Sequence, residues 1–411
     1  MPRPSEKEEV WRYTPVDELE LDDYEPLRGV GPDDLGELGS DFVKGVVADL
    51  PERAALVTVV DGSLVAVDRA GLPGSVQVGG LGGDPVLGQV LEGGDALVRV
   101  NDAFHPDAVV VDVPGGVTLD RPIVIVHWCT AAGTPPTASF LRTVVRLGRG
   151  SSAQVVEVVA GAPGGGRGLV VPVTELSAGD GSQLSYAALQ VLGTEVWHIA
   201  RVAAVAGRDA ALRTFSMGLG AAYDRSRTDA LAQGPGSTTE LRSAYLGTGS
   251  QVHDVRTLQD HAAAHTTSDL LCKGAVAGTS RSVYSGLIRV RRGAVRTNAF
   301  QTNHNLVLDE GAHADSVPNL DIEENDVRCS HASTVGPVNE DQRYYLESRG
   351  IPPARAERLI VTGFFDDIVQ RCPVPALVPR LRREVELRLT SALELGSEAD
   401  ASAGPETRDH G

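Results

Sequence analysis

The sequence predicts a mainly β protein built as a parallel β-solenoid, with helical regions before and after it. Three observations carry this. From about Val109, short apolar or alternating segments recur: Ala108-Val-Val-Val-Asp-Val, Pro122-Ile-Val-Ile-Val-His, Thr143-Val-Val-Arg-Leu, Gln154-Val-Val-Glu-Val-Val and Gln183-Leu-Ser-Tyr-Ala. Between such segments lie turns of one type, among them Gly148-Arg-Gly-Ser, Ala178-Gly-Asp-Gly-Ser, Ala206-Gly-Arg-Asp-Ala, Gly247-Thr-Gly-Ser and Ala277-Gly-Thr-Ser. Aromatic residues make up only 4% of the 411 residues, so Val, Leu, Ala and Ile must fill the core. The turn glycines Gly278, Gly293 and Gly311 are spaced by 15 and then 18 residues. A short strand pair with a glycine turn at such a period reads as one solenoid coil. Parallel stacking suits strands rich in Val and Leu. An antiparallel sandwich with similar turns is the competing architecture.

Taken in order, residues 1–85 form a mixed N-terminal region. Val16-Asp-Glu-Leu-Glu-Leu and the stretch Pro32 to Val43 carry apolar residues at three- and four-residue intervals, a helical pattern. Ala55-Leu-Val-Thr-Val-Val-Asp61-Gly62-Ser-Leu-Val-Ala-Val reads as a hairpin turning at Asp61-Gly62. Residues 86–335 form the solenoid, with Pro163 to Gly168 as a surface loop. Residues 336–396 are helical. Glu340 to Arg349 is a short helix ended by Gly350, Pro352-Pro353 opens a second helix over Ala354 to Gln370, and a third runs from Leu377 to about Leu395. The polar tail 397–411 is expected to be disordered.

Composition excludes several classes. The net charge of −18 repels phosphate backbones, so nucleic acid is not an expected ligand. No charge-free apolar run reaches the roughly 20 residues needed to span a bilayer. The N-terminal stretch lacks the apolar core of a signal peptide. Cys129, Cys272, Cys329 and Cys372 lie far apart without Cys-x-x-Cys spacing, as expected of free thiols in a reducing cytoplasm. There is no G-x-x-x-x-G-K-[ST] loop, so ATP hydrolysis is not expected of this chain. No G-x-S-x-G elbow is present, nor a G-x-G-x-x-G fingerprint after a strand.

The most informative stretch is Asp326-Val-Arg-Cys329-Ser-His331-Ala-Ser-Thr-Val-Gly336. In a strand, residues i and i+2 share a face, roughly 6–7 Å apart. Cys329 and His331 would then present two iron-compatible donors side by side. Cys272, Cys129 and Cys372 sit in apolar surroundings and read as core. His261 and His265 have the i, i+4 spacing of a zinc helix, but lack its Glu and lie in β-type sequence. His304 and His313 read as solvated or stacked in turns.

These residues carry a family resemblance. Asn298-Ala-Phe-Gln-Thr-Asn303-His-Asn305, Ala312-His-Ala-Asp-Ser-Val-Pro318, the Cys329-Ser-His331 block and Asp341-Gln-Arg-Tyr-Tyr-Leu-Glu-Ser-Arg-Gly350 resemble the SufB/SufD family of iron–sulfur cluster assembly scaffolds. Glu9-Val-Trp11-Arg12-Tyr13-Thr14, Asp260-His261 through Ser268, and Lys273-Gly274 match further blocks. Cys329-Ser330-His331-Ala332, in place of the Cys-Glu-His-Glu of SufB-type proteins, is most like SufD.

The resemblance implies a right-handed parallel β-helix between helical regions. It implies a non-enzymatic subunit that pairs with a SufB-type paralogue and docks a SufC-type ABC ATPase on its C-terminal helices. It implies a transient iron–sulfur cluster, shared with the partner, with His331 as the favoured ligand and Cys329 as a second candidate. The apolar stripe Leu359, Ile360, Phe364, Phe365 and Ile368 becomes the candidate ATPase-docking surface. A flavin has been linked to some such complexes; no motif here marks a flavin site. Three alternatives stand beside this reading: a SufB-type self-sufficient scaffold, pairing with a second copy, and a β-helix enzyme acting on polysaccharide through Asp321, Glu323, Glu324 and Asp326.

Overall fold

A computed structural model describes residues 11–13, 15–27, 30–80, 87–91, 95–130, 135–162, 164 and 166–402, with side chains to 390. The expected boundary at 85–86, part of the loop Pro163 to Gly168, and the tail 403–411 lie outside the described residues. The N-terminal region holds β1 (Glu25–Pro26), α1 (Gly36–Asp49), the strands β2 (Ala55–Val60) and β3 (Ser63–Asp68), β4 (Gln77–Gly79) and α2 (Ala96–Phe104). Sixteen strands follow: β5 (Val109–Val113), β6 (Ile123–Cys129), β7 (Thr137–Leu147), β8 (Ser152–Gly161), β9 (Gly168–Ala178), β10 (Gln183–Val191), β11 (Val196–Ala206), β12 (Ala211–Gly218), β13 (Tyr223–Ala232), β14 (Thr238–Gly247), β15 (Val252–His261), β16 (Thr267–Val276), β17 (Arg281–Val290), β18 (Asn298–Val307), β19 (His313–Ile322) and β20 (Arg328–Gly336). The helices α3 (Glu340–Ser348), α4 (Pro353–Val369) and α5 (Val378–Ser402) close the chain.

From β5 onward, odd-numbered strands stack into one ten-stranded sheet and even-numbered strands into another. Every neighbouring pair from β5 to β20 within a sheet is parallel. The solenoid is therefore the architecture, and the sandwich is not. One coil spans two strands and two turns: Tyr223 pairs with Val252 and Val252 with Arg281, an advance of 29 residues each time. The spacing of 15 and 18 residues between turn glycines is half a coil, because Gly278 and Gly293 lie on opposite sides while Gly311 stacks on the Gly278 carbonyl.

The turns explain why glycine alone did not reveal the full repeat. Gly150, Gly181, Asp209, Gly236, His265 and Arg296 occupy equivalent turns, all with positive φ. Each donates its backbone N–H to a carbonyl of the following coil. Asp, His and Arg fill a left-handed position that glycine fills elsewhere. The Asp61-Gly62 turn joins β2 to β3 with φ of 47° and 88°, the primed geometry that hairpins favour. That hairpin caps the even sheet through a parallel pairing of β2 with β6.

Both sheets are covered on both faces over most of their length. Lumen-facing Val155, Leu184, Leu212, Val111, Val145 and Leu176 pack together between the sheets. The outer face of the even sheet, through Val124, Val156, Phe215, Met217 and Leu271, packs under Val361, Phe365, Ile368, Leu381 and Val385 of α4 and α5. Trp11, Val16, Leu19 and Tyr24 cover the odd sheet from outside, against Leu97 of α2 and Tyr223. The short helical turns Val16–Glu18 and Pro32–Leu35 agree with the helical pattern of the N-terminal region. Helix α5 continues to Ser402, past the position 396 where the helical region was expected to end.

Towards the C-terminal coils the lumen turns polar, and polar groups there demand tight fits. A Cβ on Gly274 would lie 2.0 Å from the ring of buried Tyr245, whose hydroxyl donates to Asn305 Oδ1 at 2.7 Å. Gly274→Ala is expected to destabilise the chain by about 1–3 kcal/mol, through overpacking. A lowered urea midpoint with unchanged far-UV dichroism checks this; an unchanged midpoint would mean that the ring moves freely.

Candidate functional site

Strand register decides what the last coil exposes. Ala299, Gln301, Asn303 and Asn305 of β18 are buried, facing the lumen. Cys329, His331, Ser333 and Val335 pair directly above them on β20. On the other sheet, Ser316, Leu320 and Ile322 stand above buried Tyr284, Ile288 and Val290. Among the described residues neither β19 nor β20 has another strand beyond it. The lumen-facing stripe is thus left uncovered among the described residues, with Leu320, Ile322 and Val335 at 40%, 41% and 43% exposure. A terminal repeat of a solitary solenoid ordinarily turns a polar surface outward. Two uncovered strand edges also offer a template for pairing with another chain.

Cys329 and His331 share the lumen-side face of β20, as the i, i+2 spacing predicts. They differ in surroundings. Cys329 is half-buried and packs against Ile288, Val290, Ala294 and Ala299. Burial pushes its thiol above the usual range, against a hydrogen bond from the Ala299 backbone, so it is not an activated thiolate here. His331 is exposed. Directly beneath it lies Gln301, buried, with no hydrogen-bond partner for its amide among the described residues. Among the described residues no group of three or more His, Cys, Asp or Glu could hold a metal ion. Two donors on one strand can complete a coordination sphere only with ligands from elsewhere.

The remaining cysteines are buried: burial drives Cys272 and Cys372 up to about 12 and Cys129 well above its ordinary value. His261 and His265 do not share a helix. His261 ends β15, whereas His265 sits exposed in the left-handed turn position. His304 and His313 lie in strands, not turns: His304 is half-buried on β18, and His313 is exposed beside Asp315 at 3.2 Å. Asp321, Glu323, Glu324 and Asp326 do not form a paired catalytic set. Asp321 binds Arg289, Glu323 and Glu324 accept from the Arg292 and Gly293 backbone, and Asp326 lies by Arg296, each tying the last coil to the one before.

The stripe on α4 divides. Phe365 and Ile368 are buried against the even sheet, so their side chains seat the helix and cannot face a partner. Ile360 and Phe364 are partly buried against the same cluster, and Leu359 is 47% exposed. Lys273 fixes this seating from below: its ammonium donates to Asp367 at 2.7 Å and to the Phe364 carbonyl at 3.1 Å, and lies 4.5 Å from the Phe364 ring. Composition at helical spacing could not separate the seated side from the free one. Tyr344 and Tyr345 of α3 and Leu387 of α5, exposed by 74%, 58% and 58%, escaped the sequence reading because no partner face was known.

The polar lumen holds charges that the chain satisfies internally. Asp224 accepts from His198 at 2.7 Å and lies 3.2 Å from His253. Burial would raise its carboxyl, but the two imidazoles hold it well below the usual carboxylate range. Glu157 is likewise kept low, its burial outweighed by His127, Tyr186 and Thr143.

Comparison with known proteins accords with this architecture. Residues 128–364, more than half of the chain, match the family model described as SUF system FeS cluster assembly, SufBD core domain. A SufBD family iron–sulfur cluster assembly protein of Mycobacterium tuberculosis is 30% identical over 399 residues, 95% of this chain and 88% of its own length. The iron–sulfur cluster assembly protein SufD of Escherichia coli is 27% identical, over 89% of this chain and 85% of its own length. That of Bacillus subtilis is 28% identical, over 71% and 67%. The chain belongs to the SufBD family of the SUF iron–sulfur cluster assembly system.

His261 supplies a test of the lumen. Its ring nitrogens meet Thr266 Oγ1 at 2.7 Å and Ser268 Oγ at 2.8 Å. Burial pushes it down to about 4, against the pull of Asp260. Below about 6.5 the unfolded chain takes up this proton first, so stability falls as pH drops from 6.5 towards 4. The loss reaches at most about 3 kcal/mol. In His261→Gln, the slope of stability against pH in that window should flatten; an unaltered slope would show that His261 is not the group responsible.

Proposed function

We propose that this chain is a non-catalytic scaffold and adaptor of the SUF assembly machinery, acting through the open end of its solenoid. It pairs there with a SufB-type paralogue. His331 supplies an imidazole to the iron–sulfur cluster being assembled at that junction, and the cluster leaves as cargo. The uncovered lumen-facing stripe of β19 and β20 is the observation that carries this reading. It exposes apolar Leu320, Ile322 and Val335 around an exposed imidazole. Histidine can stand in for cysteine as an iron ligand, and the partner supplies the rest of the set. Cys329, half-buried in an apolar setting, is less open to a partner's iron than exposed His331, which disfavours a self-sufficient SufB-type role.

Energy for the cycle comes from a SufC-type ABC ATPase docked on the C-terminal helices. The face left free after α4 seats on the sheet centres on Leu359, with Tyr344, Tyr345 and Leu387 exposed on the neighbouring helices. No helix among the described residues is long and apolar enough to cross a membrane. A cytoplasmic setting, expected from cysteines without Cys-x-x-Cys spacing, belongs to this reading.

Affinity purification of the tagged chain without oxygen, at native expression, tests the partnership. Recovery of an ABC-type ATPase with a cysteine-bearing paralogue is expected; recovery of the chain alone, or only with itself, would sink the proposal. His331→Ala should retain both partners and lose most of the cluster absorbance of the complex. Leu359→Asp should lose the ATPase and keep the paralogue. Retention of a normal cluster in His331→Ala would remove the histidine from its role.

A further inference from the structure

The outward face of the odd sheet is hollowed, between β11 and β17, into a cavity of about 330 Å³. Arg201, Arg227, Arg289 and Arg291 line it, with Asp229 and Asp260 as the acids of the lining. Register brings them together from separate coils. Arg201 pairs with Arg227 in one column, and Asp260 with Arg289 in another. Arg227 takes both oxygens of Asp229 at 3.0 Å. Arg291 takes both oxygens of Asp260 at 2.9 and 2.7 Å. Arg289 binds Asp321 of the last coil, outside the lining.

Arg201 is the least satisfied of the four. It shares Asp229 with Arg227, through one contact at 2.8 Å. Its side chain is 11% exposed, and its Nε is buried with no hydrogen-bond partner among the described residues. Burial lowers its pKa and the Arg227 charge adds to the lowering, while Asp229 and Asp95 work against it. Within the lining four guanidinium groups face two carboxylates, while Asp321 and Asp95 act on Arg289 and Arg201 from just outside it.

We propose that this groove binds a small molecule bearing an oxyanion, a phosphate or a carboxylate, with Arg201 as the inner anchor and Arg289 at the rim. A guanidinium fork matches both oxyanions in geometry and holds them with charge-assisted hydrogen bonds. The volume lies at the lower end of the range for small-ligand sites. The site is separate from the open end of the solenoid and does not depend on cluster chemistry there.

The test is thermal unfolding and calorimetric titration of the purified full-length chain. Inorganic phosphate and citrate are the probes, with sodium chloride at matched ionic strength as control. Saturable stabilisation by one or both probes, beyond that of chloride, is expected, and whichever binds identifies the oxyanion. Arg201→Gln should weaken binding by about tenfold or more, the scale of one lost charge-assisted bond. Because Arg201 is largely covered and paired with Asp229, Arg289→Gln serves as the second variant. Its side chain is 40% exposed and its pair with Asp321 is a surface one, so only a small drop in melting point without ligand is expected, with a severalfold weaker response to the anion. Asp229→Asn should tighten the anion, since a competing carboxylate is removed. Stabilisation no greater than that of chloride, binding unaltered in Arg289→Gln, or weaker binding in Asp229→Asn would each overturn the proposal.

Discussion

In-register hydrogen bonding between successive coils is the constraint on which the rest of this structure depends. Each strand from β7 to β18 lies between two parallel neighbours, and the pairing runs residue by residue over most of each strand's length. Because side chains alternate in a strand, this ladder assigns every position to the lumen or to the outside for the whole stack. A shift by one residue would bring Arg201, Arg227 and Arg256 into the lumen and turn Asp224 and His253 outward. Burying unpaired guanidinium groups is costly enough to forbid that. The charged columns therefore act with the apolar ones in holding register.

The same ladder explains how polar groups survive inside. Asp224 bridges His198 of the coil before and His253 of the coil after, all in one column. Glu157 gathers His127, Thr143, Thr174 and Tyr186 from surrounding strands. Removing one member would leave a buried charge without its partner, which costs far more than the pair gains over an apolar replacement. The Asn303–Asn305 pair and Tyr245 continue this polar lining to the coil beneath His331. Among the described residues the solenoid ends on that lining without a cap, and the final coil presents lumen chemistry to the outside. Proposed pairing at this end and the oxyanion groove farther along use different faces of one ladder.

Much of the architecture was legible in the chain. Val-rich strands between turns announced a stacked β structure, Asp61-Gly62 announced its hairpin, and Gly350 with Pro352-Pro353 marked the helix boundaries. The i, i+2 spacing placed Cys329 and His331 on one face. Coil length was not legible, because glycines mark turns on alternate sides and Asp209, His265 and Arg296 fill equivalent turns unmarked. The arginine groove was hidden for a related reason: Arg201, Arg227 and Arg289 belong to three coils, and only the register joins them.

The sequence by itself determined the class of local structure, the absence of an ATP-binding loop and the pairing of a thiol with an imidazole, since these follow from residue type and short spacing. Tertiary structure decided what each of those groups meets. It buried Phe365 and Ile368 beneath α4 while leaving Leu359 outside, and it packed Cys329 against Ala299 while exposing His331. The reason is physical. Burial and electrostatic surroundings are set by coils about 29 residues apart, as from Tyr223 to Val252, and local spacing carries no record of which residue lies above or below.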